Sequence, residues 1–298
     1  MAKRISPQEK SFQIITGTIY ALFALICFVP FYYIFIISIS DNHQVSTGHI
    51  LLYPIGIHIT NYINVFKLRG FPDATLISVS RSVLGTVLNV VTSAFLGYAF
   101  TKREMWHRAF WYRYLMIIMY FSAGLIPVYL NYRNLHLTNT FWIYIVGFIS
   151  PFNIILCKTF IESLPLSLEE SAKLDGAGYV KVFRHIIFPL SKPIVATIAV
   201  FTAVGHWNSY IDTLLYVQNS KLYTLQFVLY NYLQSAQALA NIMKESASAY
   251  TGTEMTYLVS ATSVKMTVTI VVTLPVLFVY PFFQRFFVKG LILGAIKG

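Results

Sequence analysis

Pro165–Pro193 reads PLSLEESAKLDGAGYVKVFRHIIFPLSKP, a polar insert between two long apolar runs. Ser167 followed by Glu170 has the spacing of a capping box. The hydroxyl would accept the N–H of Glu170, and the carboxylate would reach back to the N–H of Ser167. A short helix is therefore expected to start at Ser167 and to end near Asp175-Gly176, where glycine takes the left-handed cap. Gly178 allows a second sharp bend. Helical spacing then resumes, with Val180, Phe183, Ile186 and Ile187 on one face, and Pro189 is expected to stop it. The reading is of two short helices about a Gly-x-Gly bend, a compact knob carried between apolar rods.

Composition says what those rods are. The chain has 298 residues, of which 56% are hydrophobic and only 11% charged. Soluble domains sit nearer about 45–50% apolar and about 25% charged, so the chain belongs to the membrane class. A net charge of +11 raises the question of nucleic acid. The cations, however, fall in short clusters between apolar runs, a pattern that positive-inside topology explains and a nucleic-acid face does not. Cys27 and Cys157 lie in or beside apolar runs, so neither a disulfide framework nor a metal site is supported.

Six apolar segments of bilayer-crossing length are expected. They run over about 12–39, 76–100, 109–130, 140–160, 194–217 and 264–283, in one domain covering residues 1–298. The first is too long for a cleaved signal peptide, whose apolar core is about 7–15 residues. Between the spans lie a polar stretch from Asp41 to Asp73, the basic turn Thr101 to Arg108, the knob 165–193 and a long segment 218–260. In that last segment Leu225, Val228, Leu229, Tyr232 and Leu233 recur at helical spacing. With the N-terminus inside, fifteen of the 22 Lys and Arg residues fall on the inner side. Both termini and the knob are thus expected in the cytoplasm.

The knob also carries a resemblance. Glu170-Ser171-Ala172, three residues, Gly176, nine residues, Ile186, one residue and Phe188-Pro189 resembles the EAA loop of ABC-importer permeases. Ser171 stands for the alanine and Phe188 for the leucine of that motif. The flanking Leu174-Asp175-Gly176-Ala177 and Pro189-Leu190-Ser191 are similar to the MalG-like carbohydrate permeases. The ending Phe286-Phe287-Val288-Lys289-Gly290 and the outer segments look closest to the branch of the LplC/YtcP and alginate-importer permeases. The resemblance implies an all-α, polytopic inner-membrane protein of bacteria with the type I ABC importer (MetI-like) permease fold and six transmembrane helices. It implies ATP-driven, binding-protein-dependent import of carbohydrate, oligosaccharides or polysaccharide fragments including acidic, alginate-like ones, by alternating access.

It further implies that Glu170, Ser171, Ala172, Asp175, Gly176, Ala177, Phe183, Ile186 and Pro189 couple the spans to an ATPase. Small residues would let the backbone seat in the partner's cleft, Glu170 would be held in its cap, and Phe183 and Ile187 would anchor the loop to the spans. The tail Gly290–Gly298, with Lys297 and Gly298, would touch the same ATPase dimer. No Gly-x-x-x-x-Gly-Lys-Ser/Thr loop occurs in the chain, so ATP and Mg are expected on that partner and no cofactor here. Six spans enclose little volume, so a homologous second permease subunit is expected to complete the path. An extracytoplasmic solute-binding protein is expected to deliver the solute, and alginate-type acidic oligosaccharides are one candidate, supported by Lys67, Arg69 and Arg81.

Polar groups inside spans mark candidate pathway residues, since they are costly in lipid and face interiors or cavities. Asn208, Tyr210 and Asp212 in the fifth span qualify, with interhelical hydrogen bonding as the alternative. Asn89, Thr92, Ser93 and Gly97 read as a helix-packing stripe first and a pore wall second. Pro30, Pro127, Pro275 and Pro281 are expected kinks. No reaction chemistry is legible: no His pair has metal-binding helical spacing, and Glu169-Glu170 reads as capping. A secondary transporter would need buried acids, of which Asp212 alone lies in a span. A non-transporting anchor would tolerate loss of the knob.

Overall fold

The computed structural model describes residues 7–46, 52–67, 70–147, 149–245 and 263–278, and all regular structure among them is helical. The expected tail contacts at Lys297 and Gly298, together with Arg69, Pro281, the end of the sixth span and residues 246–260, lie outside the described residues. Two units are described. One comprises residues 1–68 and 231–272, the other residues 69–230 and 273–298.

In the first unit, α1 runs unbroken from Pro7 to Ile39 through Pro30. Most of its surface is apolar and exposed, from Phe12 and Ile15 through Phe23 and Ile26 to Phe31. A helix apolar on all sides suits lipid or a partner helix rather than water. Only its end is packed. Ile36 and Ile37 are buried with Val45, Ile55 and Met266 against them. Beyond α2 (Asn42–Ser46), α3 (Thr60–Lys67) returns to this end. There Ser38 shares a 2.8 Å hydrogen bond with Tyr62, and Asn61 donates to the Ser38 carbonyl.

The second unit is organised on α4, Phe71–Thr101, 31 residues long. At 1.5 Å per residue it measures about 46 Å, more than the roughly 30 Å of hydrocarbon it must cross. Both α8 (Pro151–Glu162) and α12 (Lys192–Asn208) pack along it. Close approach is permitted by glycine. A Cβ on Gly97 would stand 2.6 Å from the Cys157 Cβ and 3.0 Å from the Lys158 backbone nitrogen, and one on Gly85 would collide with the His206 ring. The core between the three helices holds Val90, Ala94, Tyr98, Cys157, Ile161, Ile194 and Ile198.

Hydropathy alone merges segments that the backbone separates. The third apolar run is two helices, α5 (Arg108–Tyr120) and α6 (Leu125–Asn134), bent by 118°. Gly124, at φ 86° and ψ 171°, takes a conformation open only to glycine, which lets the chain double back. Pro127 sits in the first turn of α6 and therefore starts a helix rather than kinking one. The fourth run is α7 (Ile143–Val146) followed by α8, whose start at Pro151 uses proline's preset φ. The fifth is α12, a break at Ser209-Tyr210, and α13 (Ile211–Tyr216). The amphipathic segment after it contains α14, Leu225–Glu245, and the last described helix is α15, Ser263–Phe278.

Candidate functional site

The knob is built from α9 (Ser167–Leu174), α10 (Tyr179–Val182), a π turn (Phe183–Ile187) and α11 (Phe188–Leu190). The expected capping box does not form. Leu166 is already helical, and its carbonyl accepts the N–H groups of Glu169 and Glu170, both at 3.0 Å. The helix begins at Ser167, as expected, but Leu166 takes the N-cap position in Ser167's place and no side chain caps it. Glu169, not Glu170, points inward and is 7% exposed, whereas Glu170 is exposed.

The end of α9 agrees with expectation. Gly176 has φ 74°. Its N–H donates to the Lys173 carbonyl, and the Ala177 N–H donates to the Ala172 carbonyl, each at 3.0 Å. These two bonds make a Schellman closure, and Ala172 and Ala177 both pack on the core, as that motif's apolar contact requires. Gly178 is not a second special turn, since its φ of −71° and ψ of 162° are open to any residue. Ser171, in place of the motif's alanine, returns its hydroxyl to the Ser167 carbonyl at 2.9 Å, so the extra polar group is satisfied inside the helix.

Pro189 does not stop the second helix. The turn before it widens, with the Phe188 N–H donating to the Phe183 carbonyl, and the chain stays helical to Leu190. A wider turn carries a proline that an α-helical turn would reject. The actual turn is a 79° bend between Leu190 and Lys192. The inward face also differs from the expected set: Val182 and Ile187 are buried, Phe183, Ile186 and Phe188 pack beside them, and Val180 is exposed. Phe183 is central, with its ring centroid 5.5 Å from both Phe95 and Tyr98 of α4 and 5.8 Å from Phe188.

A charged cluster joins the knob to α4. Lys102, the residue after α4, forms an ion pair with Glu169, and Lys173 lies 3.3 Å from the same carboxylate. The Tyr98 hydroxyl donates to Glu169 at 3.5 Å, and the Lys102 ammonium sits 4.2 Å over the Tyr98 ring. Burial opposes ionisation of Glu169, but the two ammonium groups outweigh it and hold the carboxyl below its ordinary value of 4.5. Sequence reasoning spent Glu169 on capping and left Lys102 as a topology marker. The partnership spans 67 positions, and only the fold brings it together.

Further along α4, a polar layer lies among the apolar residues. Asn153 of α8 donates to the Asn89 side-chain oxygen at 2.9 Å and to the Thr202 hydroxyl of α12 at 3.4 Å, and Ser93 donates to Asn89 at 3.2 Å. Asn89 is 2% exposed. Asn153 thus ties α4, α8 and α12 together, with Asn89 as its acceptor on α4. Nearer the start of α4, Arg81 is fully buried and pairs with Asp212. Its Nη1 also donates to the Ser209 carbonyl at 3.3 Å, and the guanidinium lies 4.5 Å over Tyr144. Asp212 accepts from the Ser209 hydroxyl as well, at 3.0 Å. Arg81 and Asp212 are thus paired with each other at the break in the fifth run. Asn208 is exposed and accepts from Gln226 at 3.2 Å, and Tyr210 stacks on Tyr230 at 4.8 Å.

Among the described residues, no three His, Cys, Asp or Glu side chains are placed to hold a metal. What the residues define is a helical membrane subunit whose polar loop folds as one body, with one face seated on a long span and the other open. The chain belongs to the family described as the binding-protein-dependent transport system inner membrane component, whose pattern matches residues 5–293. It is accordingly an ABC-importer permease subunit integral to the inner membrane and not itself an enzyme.

The polygalacturonan/rhamnogalacturonan transport system permease protein YtcP of Bacillus subtilis is 34% identical over 278 residues, covering 93% of this chain and 95% of YtcP. Protein LplC of the same organism is 34% identical over 92% of this chain and 90% of its own length. Among solved structures, a bacterial ABC transporter involved in import of the acidic polysaccharide alginate matches with a TM-score of 0.80 and 28% identity, over 96% of this chain and 100% of that one.

Proposed function

We propose that this chain is one half of the translocation path of an ATP-driven importer for oligosaccharides or polysaccharide fragments, with acidic uronide-containing chains as the favoured class. YtcP belongs to a polygalacturonan/rhamnogalacturonan transport system and the matching structure is of an alginate importer, which supports that class. A homologous second permease subunit completes the path, an extracytoplasmic binding protein delivers the solute, and a pair of ATPase subunits binds ATP and Mg. Both termini and the knob lie in the cytoplasm, with Lys297 and Gly298 at the ATPase dimer.

The observation that carries the coupling role is the asymmetry of the knob. Its inward face is packed on α4 and α8, while Leu166, Leu174 and Val180 stand 74%, 90% and 68% exposed beside Glu170, Asp175 and Gly176. Apolar side chains that open on a polar loop outside the spans call for a protein partner. The ATPase cleft supplies it, with Glu170, Ser171, Asp175 and Gly176 at the contact. Ala172, Ala177, Phe183 and Ile186 form the underside that carries the load, and Pro189 holds the wide turn. Along the path, the exposed Asn208, bonded to Gln226, and the half-buried Tyr210, stacked on Tyr230, offer solute an amide and an aromatic face of the kind sugars bind.

Reconstitution of the permease pair, ATPase and binding protein in proteoliposomes tests this reading. Uptake of oligogalacturonide or oligoalginate is expected to require ATP and to fall at least tenfold on Glu170→Ala or Gly176→Val. Uptake that is independent of ATP, or indifferent to both substitutions, would sink it. Neutral maltooligosaccharide taken up at the same rate would remove the uronide class and leave the rest.

A further inference from the structure

We propose that Lys102 and Glu169 are positioning residues of the transport cycle, a clasp through which displacement of the knob is delivered to α4. The inference rests on the knob being the ATPase-docking element, and it concerns the opposite face from the one that meets the ATPase.

The first argument is that Glu169 has a partner to spare. Lys173, four residues on along α9, lies 3.3 Å from its carboxylate. That i,i+4 pair would serve the helix locally. Yet the carboxylate is turned inward, its side chain 10% exposed, and meets Lys102, itself 14% exposed. Pairs left in water are weakly coupled and shift easily, whereas a desolvated pair resists separation because each charge would be left buried alone. The pair that crosses between elements is the desolvated one.

The second argument is the bearing beside it. Tyr98 lies one helical turn before Lys102, and its ring meets the ammonium on one side and Phe183 on the other. Phe95 closes on Phe183 edge-to-face. Apolar ring contacts hold two bodies together over a broad surface, and their edge-to-face preference is modest, so they resist sliding only weakly. The ion pair beside them fixes the register. Knob and α4 therefore meet through a greasy bearing and a charged pin, and a push on the knob's open face reaches α4 as displacement instead of slip.

The third argument is what α4 carries. The same helix holds the Asn89 layer shared with α8 and α12 and the Arg81 pair at the break before α13. Displacing its Lys102 end thus acts on all the helices packed along it. Glu170, one residue away, faces outward and makes no part of this path.

The test uses the whole reconstituted complex, with Glu169→Gln, Lys102→Met and the double exchange Lys102→Glu/Glu169→Lys. Hydrolysis, uptake and recovery of the ATPase subunits on the purified permease are measured together. Each single variant is expected to keep its ATPase subunits and at least half its hydrolysis while solute moved per ATP falls about fivefold or more. The double exchange is expected to regain at least half of that loss. A merely structural role predicts that hydrolysis, subunit recovery and uptake fall together, and that result would overturn the proposal. So would an unchanged ratio in both single variants, or a double exchange no better than the worse single. Should the unsubstituted complex take up solute without ATP, the docking reading falls and the clasp with it. With ATP-dependent uptake and unchanged ratios, the clasp alone falls.

Discussion

α4 carries two buried charge pairs, and they differ in kind. Nearer its start, Arg81 forks onto both carboxylate oxygens of Asp212, adds the Ser209 carbonyl, and sits over the Tyr144 ring. The planar guanidinium leaves that geometry little freedom. At the other end Lys102 brings a single ammonium on a flexible stem, and Glu169 divides itself between two lysines and a tyrosine hydroxyl. An ammonium is a point charge with rotatable donors. One pair pins a helix break in place, while the other joins two bodies and leaves their angle adjustable. On the proposed coupling, the first is a fixed anchor of α4 and the second a pivot.

The sharpest way to break the contrast is at the fixed end. Arg81→Met strands the Asp212 carboxylate among buried groups and is expected to cost about 3–5 kcal/mol. The expected result is a large drop in unfolding temperature in detergent, partly relieved by adding Asp212→Asn. Equal behaviour of Arg81→Lys and the unsubstituted chain would show that the fork is unimportant.

Next in size is Gly97→Ala. Its Cβ would meet the Cys157 Cβ at 2.6 Å and the Lys158 backbone nitrogen at 3.0 Å. Backbone cannot swing aside, so overpacking is expected to cost about 1–3 kcal/mol and to part α4 from α8. Measured stability should fall more than for Ala at Gly178, where a Cβ meets open space.

The pivot should be sensitive to acid. Because the folded-state carboxyl of Glu169 titrates below its ordinary 4.5, its contribution is complete above about pH 4.5 and is lost as pH falls through the lowered value. Lys102, Lys173 and the Tyr98 hydroxyl are the groups that face it. Hydrogen-exchange protection of residues 167–174, taken relative to the intrinsic rate at each pH, is expected to fall below that pH in the unsubstituted chain, and Glu169→Gln should flatten the dependence.

The smallest effect is expected at Ser167. Without a capping bond, Ser167→Ala should change stability by less than about 0.5 kcal/mol, against the typical ~1 kcal/mol of a working N-cap. A loss as large as a true cap would show that Ser167 caps the helix as the local grammar places it.

Much of the knob was legible because its signals are local. Gly176 closes a helix by needing positive φ, and the spacing of Phe183, Ile186 and Ile187 marks an inward face. The failures share a cause. Ser167 and Glu170 have the right spacing for a cap, but Leu166 takes the N-cap position in Ser167's place, and Lys102 decides which glutamate turns in. Neither fact lies within the stretch itself. Hydropathy likewise sums over Gly124 and over Ser209-Tyr210, so it reports one rod where the backbone turns. Arg81 looked available to an acidic solute until Asp212, 131 positions away, was found against it.

The doubly bonded closure at Gly176 has a mechanical consequence. Two crossed backbone bonds, with Ala172 and Ala177 both packed on the core, stiffen the elbow between its two arms. On the proposed docking, a push on the free side of the knob would pass from one arm to the other with little lost to bending at Gly176.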